Sequence, residues 1–182
     1  MLCWLIFAFA FFFRTKPPQS AKQKKDRTSM FGVALVGVGF ALVWSVQRQI
    51  FTPIIETGIV LEIILAFVTV IISSGSVWLV LSSVRTLGKQ WTVTAQTVEN
   101  HKFITDGPYR YVRNPIYAGM LGMIVATGLI MSTWYALLIA LFCGWAGTMI
   151  RIRSEEKLLL AAFGEEFILY TRKVPALFPK LF

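Results

Sequence analysis

Charge is scarce in this chain. Only 15% of its 182 residues are charged, whereas 56% are hydrophobic and the mean hydropathy is +0.66. Soluble domains carry about 25% charged residues, so this composition suits lipid rather than water. It excludes a soluble doubly wound nucleotide-binding enzyme. Cysteine is rare too. Cys3 and Cys143 stand far apart inside apolar runs, which excludes a disulfide framework and argues against a zinc site. The single histidine, His101, cannot build a histidine-based metal cluster. No G-x-S-x-G segment is present, so a nucleophile elbow is lacking.

What the chain has instead is long apolar runs. At roughly 20 residues per membrane helix, its length allows four or five spans within a single domain. We expect an all-α, polytopic membrane bundle of about five transmembrane helices. The runs are Met1–Phe13, Met30–Val46, Thr57–Val84, Pro115–Met131 and Thr133–Ile150. The first is short, reaching about 20 Å against a hydrocarbon core near 30 Å. In the third, Ser73-Ser74-Gly75-Ser76 suits either close helix packing or a kink. That span also carries Glu62, an intramembrane carboxylate that reads either as a functional group or as an interfacial one. The last two runs are separated only by Ser132-Thr133 and so form an antiparallel hairpin. Small residues recur every fourth position on both, Ala118, Gly122 and Ala126 on one and Ala140, Gly144 and Thr148 on the other. Such stripes let backbones approach closely. From Arg151 onward the tail is amphipathic and then punctuated by proline.

The net charge of +9 would suggest nucleic acid in a soluble protein. Here the cations lie between apolar spans. Arg14, Lys16, Lys22, Lys24, Lys25 and Arg27 face only Asp26 in the first loop, whereas the second loop balances Arg48 against Glu56. Segments 85–117 and 151–182 are again net positive. Five spans place all three positive segments on one side, which the positive-inside rule makes cytoplasmic. A nucleic-acid partner is not expected.

The polar chemistry concentrates on that side, in two stretches. The first runs from His101 through Gly107-Pro108-Tyr109-Arg110-Tyr111-Val112-Arg113-Asn114-Pro115-Ile116-Tyr117. Gly107-Pro108 reads as a turn. Asn114-Pro115 reads as a helix start, with asparagine at the N-cap and proline at the first helical position. Such a start directs free N–H groups at carboxylate or phosphate. An interfacial loop with snorkelling arginines and belt tyrosines fits the same residues. The second stretch, Arg151-Ile152-Arg153-Ser154-Glu155-Glu156-Lys157, puts Arg151 and Glu155 four apart on one helix face. Such a pair is commonly a plain surface ion pair. Here the hairpin brings it beside Asn114, so an acid and a base face an anion-binding helix end.

The run G-P-Y-R-Y-V-R-N-P-I-Y-A-G, followed by E-E-K-L-L-L-A-A-F-G-E-E-F-I-L-Y and V-P, resembles the isoprenylcysteine carboxyl methyltransferase and phospholipid methyltransferase superfamily. The resemblance covers roughly residues 85 to 180. It implies a membrane methyltransferase that uses S-adenosylmethionine in a cytoplasmic-side pocket, with residues 1–84 supplying N-terminal spans and 85–182 the cofactor-binding and catalytic region of one domain. Carried over by position, the cofactor contacts fall on His101, Lys102, Phe103, Ile104, Tyr109, Asn114, Pro115, Ile116, Tyr117 and Glu155. The catalytic pair falls on Arg151 and Glu155, with Arg151 facing the substrate. The family commonly has histidine where this chain has Asn114, which hydrogen-bonds but does not titrate near neutral pH. The acceptor implied is lipophilic or lipidated and arrives from the bilayer, without a metal. Carboxyl O-methylation of an isoprenylcysteine-like substrate is favoured, because Arg151 suits a carboxylate. Phospholipid amine N-methylation, and a steroid-reductase-like enzyme using NADPH, are the alternatives.

Overall fold

The computed structural model describes residues 2–12, 27–49, 59–88 and 103–179. Among these residues the regular structure is helical: α1 (Leu2–Phe12), α2 (Arg27–Ser45), α3 (Ile59–Leu87), a 3₁₀ turn (Gly107–Arg110), α4 (Pro115–Met131), α5 (Trp134–Phe163) and α6 (Glu165–Lys173). Three of them, α2, α3 and α5, are long and apolar enough to cross a membrane. α4 is also apolar, at 17 residues, and α1 has 11, about 17 Å of helix.

Successive helices alternate in direction, and the contacts give their order. Gly32 lies against Gly147, whereas Gly39 lies against Ala140 and Gly144, so α2 and α5 run antiparallel. Gly119 meets Val80 and Ser76, whereas Gly122 meets Ile72 and Ser76, so α3 and α4 do the same. Short α1 is held by aromatic edges: Trp4 meets Phe7, Phe40 and Trp44 at centroid distances of 5.3–5.5 Å. The Trp4 indole N–H also donates to Thr127 Oγ1 at 2.9 Å. Phe7 and Ala10 then join Val77, Val80 and Met123 in a buried cluster.

The hairpin of α4 and α5 is present, with its turn at Ser132-Thr133. Several of its small residues also serve partners outside the hairpin. Gly119 and Gly122 admit Ser76 of α3, Gly147 admits the backbone of α2, and Gly144 faces Ile124 and Leu121 of α4. At Gly39 a Cβ would stand 2.8 Å from the Ala140 carbonyl oxygen, and at Gly147 it would stand 2.6 Å from that of Gly32. Without a hydrophobic drive between helices in lipid, such close approach is a main source of cohesion. The Ser73–Ser76 run does not break α3, which continues through it. Ser76 is a buried packing residue.

One further departure from the sequence reading matters for the site. α5 does not stop at Ile150 but continues for more than three turns, to Phe163. Gly164, at φ +52°, ends it, a left-handed conformation that glycine adopts without penalty. Over 30 residues α5 reaches about 45 Å, longer than a hydrocarbon core of about 30 Å. Its last ten residues, which include Glu155, therefore exceed what such a core needs, and Arg151 lies one turn before Glu155. Glu62 is exposed in the first turn of α3.

The opposite end of the bundle is closed by Arg48. Its Nη1 donates to the Ser132 carbonyl at 2.8 Å, and its Nη2 donates to those of Leu129 and Ile130 at 2.9 Å. These are orphan carbonyls of the α4 C-terminus, where a cation also suits the helix dipole.

Candidate active site

The α4 helix starts where the sequence places it, with Pro115 at its first position and Asn114 at the N-cap. The Asn114 side chain does not cap the helix, however. Its Nδ2 donates to the Ala176 carbonyl at 3.1 Å, and its backbone N–H donates to the same oxygen at 3.0 Å. The Arg113 N–H donates to Pro175 O at 2.9 Å. The loop before α4 is thus laced to the strip after α6. Arg113 strengthens the lacing, with Nη1 reaching the Val174 and Thr171 carbonyls at 2.6 and 3.2 Å. On its other edge Nε and Nη2 bind Glu156 Oε1 at 2.9 and 2.8 Å.

Gly107 begins the loop's 3₁₀ turn at φ +58°, and a Cβ there would stand 2.7 Å from Thr86 Oγ1. Only glycine fits both the dihedral and the space. The turn then delivers Tyr109 into the interior, where the Tyr170 hydroxyl donates to its carbonyl at 2.6 Å. Burial raises the Tyr109 hydroxyl pKa above its ordinary value, and the Glu155 carboxylate and Tyr170 raise it further. Burial also pushes that of Tyr170 up to about 12, against the lowering effect of Arg113.

Two polar centres result. In the first, Arg151, Glu155 and Tyr117 meet. Arg151 Nη2 lies 2.5 Å from Glu155 Oε1. The Tyr117 hydroxyl donates to the same carboxylate oxygen at 2.6 Å and accepts from Arg151 Nε at 2.8 Å. Arg151 is only 4% exposed, whereas the Glu155 side chain is 26% exposed. The guanidinium also stacks over the Tyr117 ring, 5.7 Å from its centroid.

The second centre is a cavity of about 80 Å³ between the loop, α5 and α6. Phe103, Ile104, Leu159 and Phe167 give it apolar walls, and Tyr109, Asn114, Arg113, Glu156 and Tyr170 give it polar groups. Phe103 and Tyr170 line both this cavity and an outer, wider one that reaches Arg110, Glu166 and Lys173. The Phe103 ring packs on Phe163, Phe167 and Tyr170 at 4.9, 6.1 and 5.2 Å.

Of the residues carried over from the family pattern, Phe103, Ile104, Tyr109 and Asn114 line the inner cavity. Tyr117, Arg151 and Glu155 form the neighbouring cluster. Pro115 and Ile116 begin α4. His101 and Lys102 lie outside the described residues. Sequence reasoning missed Glu156, Arg113, Phe167 and Tyr170 as cavity residues. The spacing held a signal, since Glu156 follows Glu155 and therefore turns about 100° around α5, toward the loop. It also missed Ser29, which lies far away in sequence.

The lining fits a nucleoside-type cofactor in its chemistry. Aromatic faces suit a purine, and the carboxylate of Glu156 suits hydroxyl, ammonium or sulfonium groups. Small-molecule sites usually enclose about 300–1,000 Å³, so such a ligand would need more room than the inner cavity of about 80 Å³ offers. No group of three or more histidine, cysteine, aspartate or glutamate residues suited to a metal occurs among the described residues.

Comparison with known proteins covers this same region. Residues 61–166 match the phospholipid methyltransferase family. A protein-S-isoprenylcysteine O-methyltransferase of Schizosaccharomyces pombe is 31% identical over 87 residues, covering 48% of this chain and 37% of the relative. An Arabidopsis thaliana protein named protein-S-isoprenylcysteine O-methyltransferase B is 28% identical over 97 residues, covering 52% and 49%. The cobalt-zinc-cadmium resistance protein CzcN of Cupriavidus metallidurans is 34% identical over 105 residues, covering 54% and 46%. The chain thus spans less than half the length of each of these relatives.

Proposed function

The chain belongs to the phospholipid methyltransferase family, and on that premise we propose that it is a multi-pass membrane enzyme that methylates a lipophilic acceptor from S-adenosylmethionine. The observation that carries this reading is the adjacency of the two centres. Glu155 and Glu156 are consecutive on α5, one bound to Arg151 and the other lining the aromatic cavity. A donor held against Phe103, Tyr109 and Glu156 would therefore lie next to an acceptor held by Arg151.

S-adenosylmethionine, when bound, would supply an already electrophilic methyl group. The protein's task is alignment, which is worth several kcal/mol of barrier in well-oriented reactions. The Arg151 guanidinium is fixed by Tyr117 and Glu155 and presents a planar fork suited to a carboxylate. Carboxyl O-methylation of a lipidated, isoprenylcysteine-like acceptor follows, in keeping with the names of the relatives. The exposed apolar residues of α3, among them Ile63, Phe67 and Ile71, suit lipid, so the acceptor's tail can remain in the bilayer. Positive charge at the site end of the bundle favours the cytoplasmic side.

The test is to incubate the purified protein with methyl-labelled S-adenosylmethionine and a membrane extract. Label that is released as methanol by mild base identifies a carboxyl methyl ester and supports the proposal. Base-stable label in phospholipid would assign N-methylation instead. No labelled product, together with protection from heat by a nicotinamide dinucleotide, would overturn methyl transfer.

A further inference from the structure

The family match begins at residue 61, so α2 lies outside it. Yet the first turns of α2 reach the centre of the Arg151 cluster. Ser29 is 3% exposed, and its Oγ accepts from Arg151 Nη1 at 2.5 Å. One turn further on, a Cβ at Gly32 would stand 2.8 Å from Arg151 Cγ and 3.3 Å from Cδ. The aliphatic stem of the arginine therefore lies directly across the backbone of α2, and its head reaches back to the serine. Helix α5 supplies Arg151 and Glu155, α4 supplies Tyr117, and α2 supplies the third side of the cradle.

Arginine is a long side chain with many rotamers, and a guanidinium aligns a carboxylate only when its plane is fixed. Tyr117 and Glu155 hold the Nε and Nη2 atoms. Those two bonds lie on one side of the guanidinium. Ser29 holds Nη1, so the plane cannot swing about the Cδ–Nε bond.

We propose that Ser29 is a positioning residue for the acceptor-binding arginine, fixing the Arg151 guanidinium from a helix outside the family's matched segment. The proposal rests on the acceptor-binding role given to Arg151 above. It adds that the N-terminal half of the chain completes the site.

The experiment compares wild type with Ser29→Ala, Ser29→Thr and Ser29→Cys in the full-length purified protein. The first readout is the rate at which phenylglyoxal modifies Arg151, followed by mass spectrometry. Ser29→Ala should raise that rate at least five-fold, Ser29→Thr should keep it near wild type, and Ser29→Cys, a weaker acceptor, should fall between. The second readout is methyl transfer. Ser29→Ala should lower kcat/KM for the acceptor about tenfold with donor affinity unchanged, and Ser29→Thr should restore it.

An unchanged modification rate in Ser29→Ala and Ser29→Cys would overturn the proposal, whatever the enzyme methylates. So would a lower Tm with wild-type kinetics, the mark of a purely structural serine, or a loss confined to donor affinity. If wild type transfers no methyl group, the functional reading fails while the modification rates still decide whether Ser29 holds Arg151.

Discussion

Arg113 grips Glu156 with two nitrogens, Nε at 2.9 Å and Nη2 at 2.8 Å, and so ties the loop before α4 to the extended end of α5. The pair is mostly buried, at 14% and 25% side-chain exposure, and Arg113 also binds the carbonyls of Thr171 and Val174. Removing one member of such a pair leaves a poorly solvated charge. Arg113→Ala should therefore destabilise the protein by about 2–4 kcal/mol, read as a lower Tm in detergent. Glu156→Gln, which keeps the shape, should cost less. An Arg113→Ala protein as stable as wild type would show that the loop needs no such tie.

Arg151→Lys separates two roles. Lysine keeps the charge but loses the fork that reaches Tyr117, Glu155 and Ser29 together. Methyl transfer should fall by about an order of magnitude or more, since alignment is most of what the protein supplies. Donor affinity, measured by calorimetry, should change little. Near-wild-type turnover would reduce Arg151 to a structural ion pair.

Phe103 lines both the inner and the outer cavity. Phe103→Ala should weaken donor binding about three- to tenfold, as expected for a lost aromatic contact worth about 0.5–1.5 kcal/mol. It should also speed dissociation of the donor, visible in stopped-flow competition. Unchanged binding and release would mean that the donor does not pass this ring.

The pKa of Tyr170, pushed up to about 12 by burial, gives a pH window. The folded protein holds this proton more tightly than the unfolded chain, whose tyrosine titrates near 10. The resulting stabilisation is complete below pH about 10 and is lost as pH rises toward about 12. Tyr170→Phe should remove that alkaline dependence from the Tm and also lose the hydrogen bond to the Tyr109 carbonyl. An alkaline profile that Tyr170→Phe leaves unchanged would assign the effect elsewhere.

Topology is open to labelling. Gln47 and Lys173 lie at opposite ends of the helix bundle and are both exposed. With Cys3 and Cys143 replaced, cysteines at positions 47 and 173 should react with impermeant reagent from opposite sides, position 173 from the cytoplasm. Labelling of both from one side would refute the span count.

Much of the bundle was legible in the sequence because its signals are local. Pro115 after Asn114 fixes the start of α4, and Ser132-Thr133 fixes the hairpin turn. The polarity change at Arg151 was a weaker guide, because α5 continues as an amphipathic helix beyond the bilayer rather than ending there. The small-residue stripes showed that helices approach closely but not which helices, since Gly147 meeting Gly32 depends on packing between distant segments. For the same reason nothing in the local sequence ties Ser29 to Arg151, 122 positions away. Asn114 misled in detail: its cap position is correct, but its amide prefers the Ala176 carbonyl, which only the returning chain brings near.

That returning strip sets an order of assembly. The backbone of Arg113 and Asn114 pairs with Pro175 and Ala176, some sixty positions later. During synthesis, α4 and α5 insert while the loop before them still lacks its hydrogen-bond partners. The loop that lines the cavity gains these partners only after residue 176 has emerged and folded back, so its final anchoring is among the last steps in this segment's folding. Helix insertion and the anchoring of this loop are thereby separated in time, and on the proposed function a truncation before Pro175 should yield a chain that inserts but binds S-adenosylmethionine weakly.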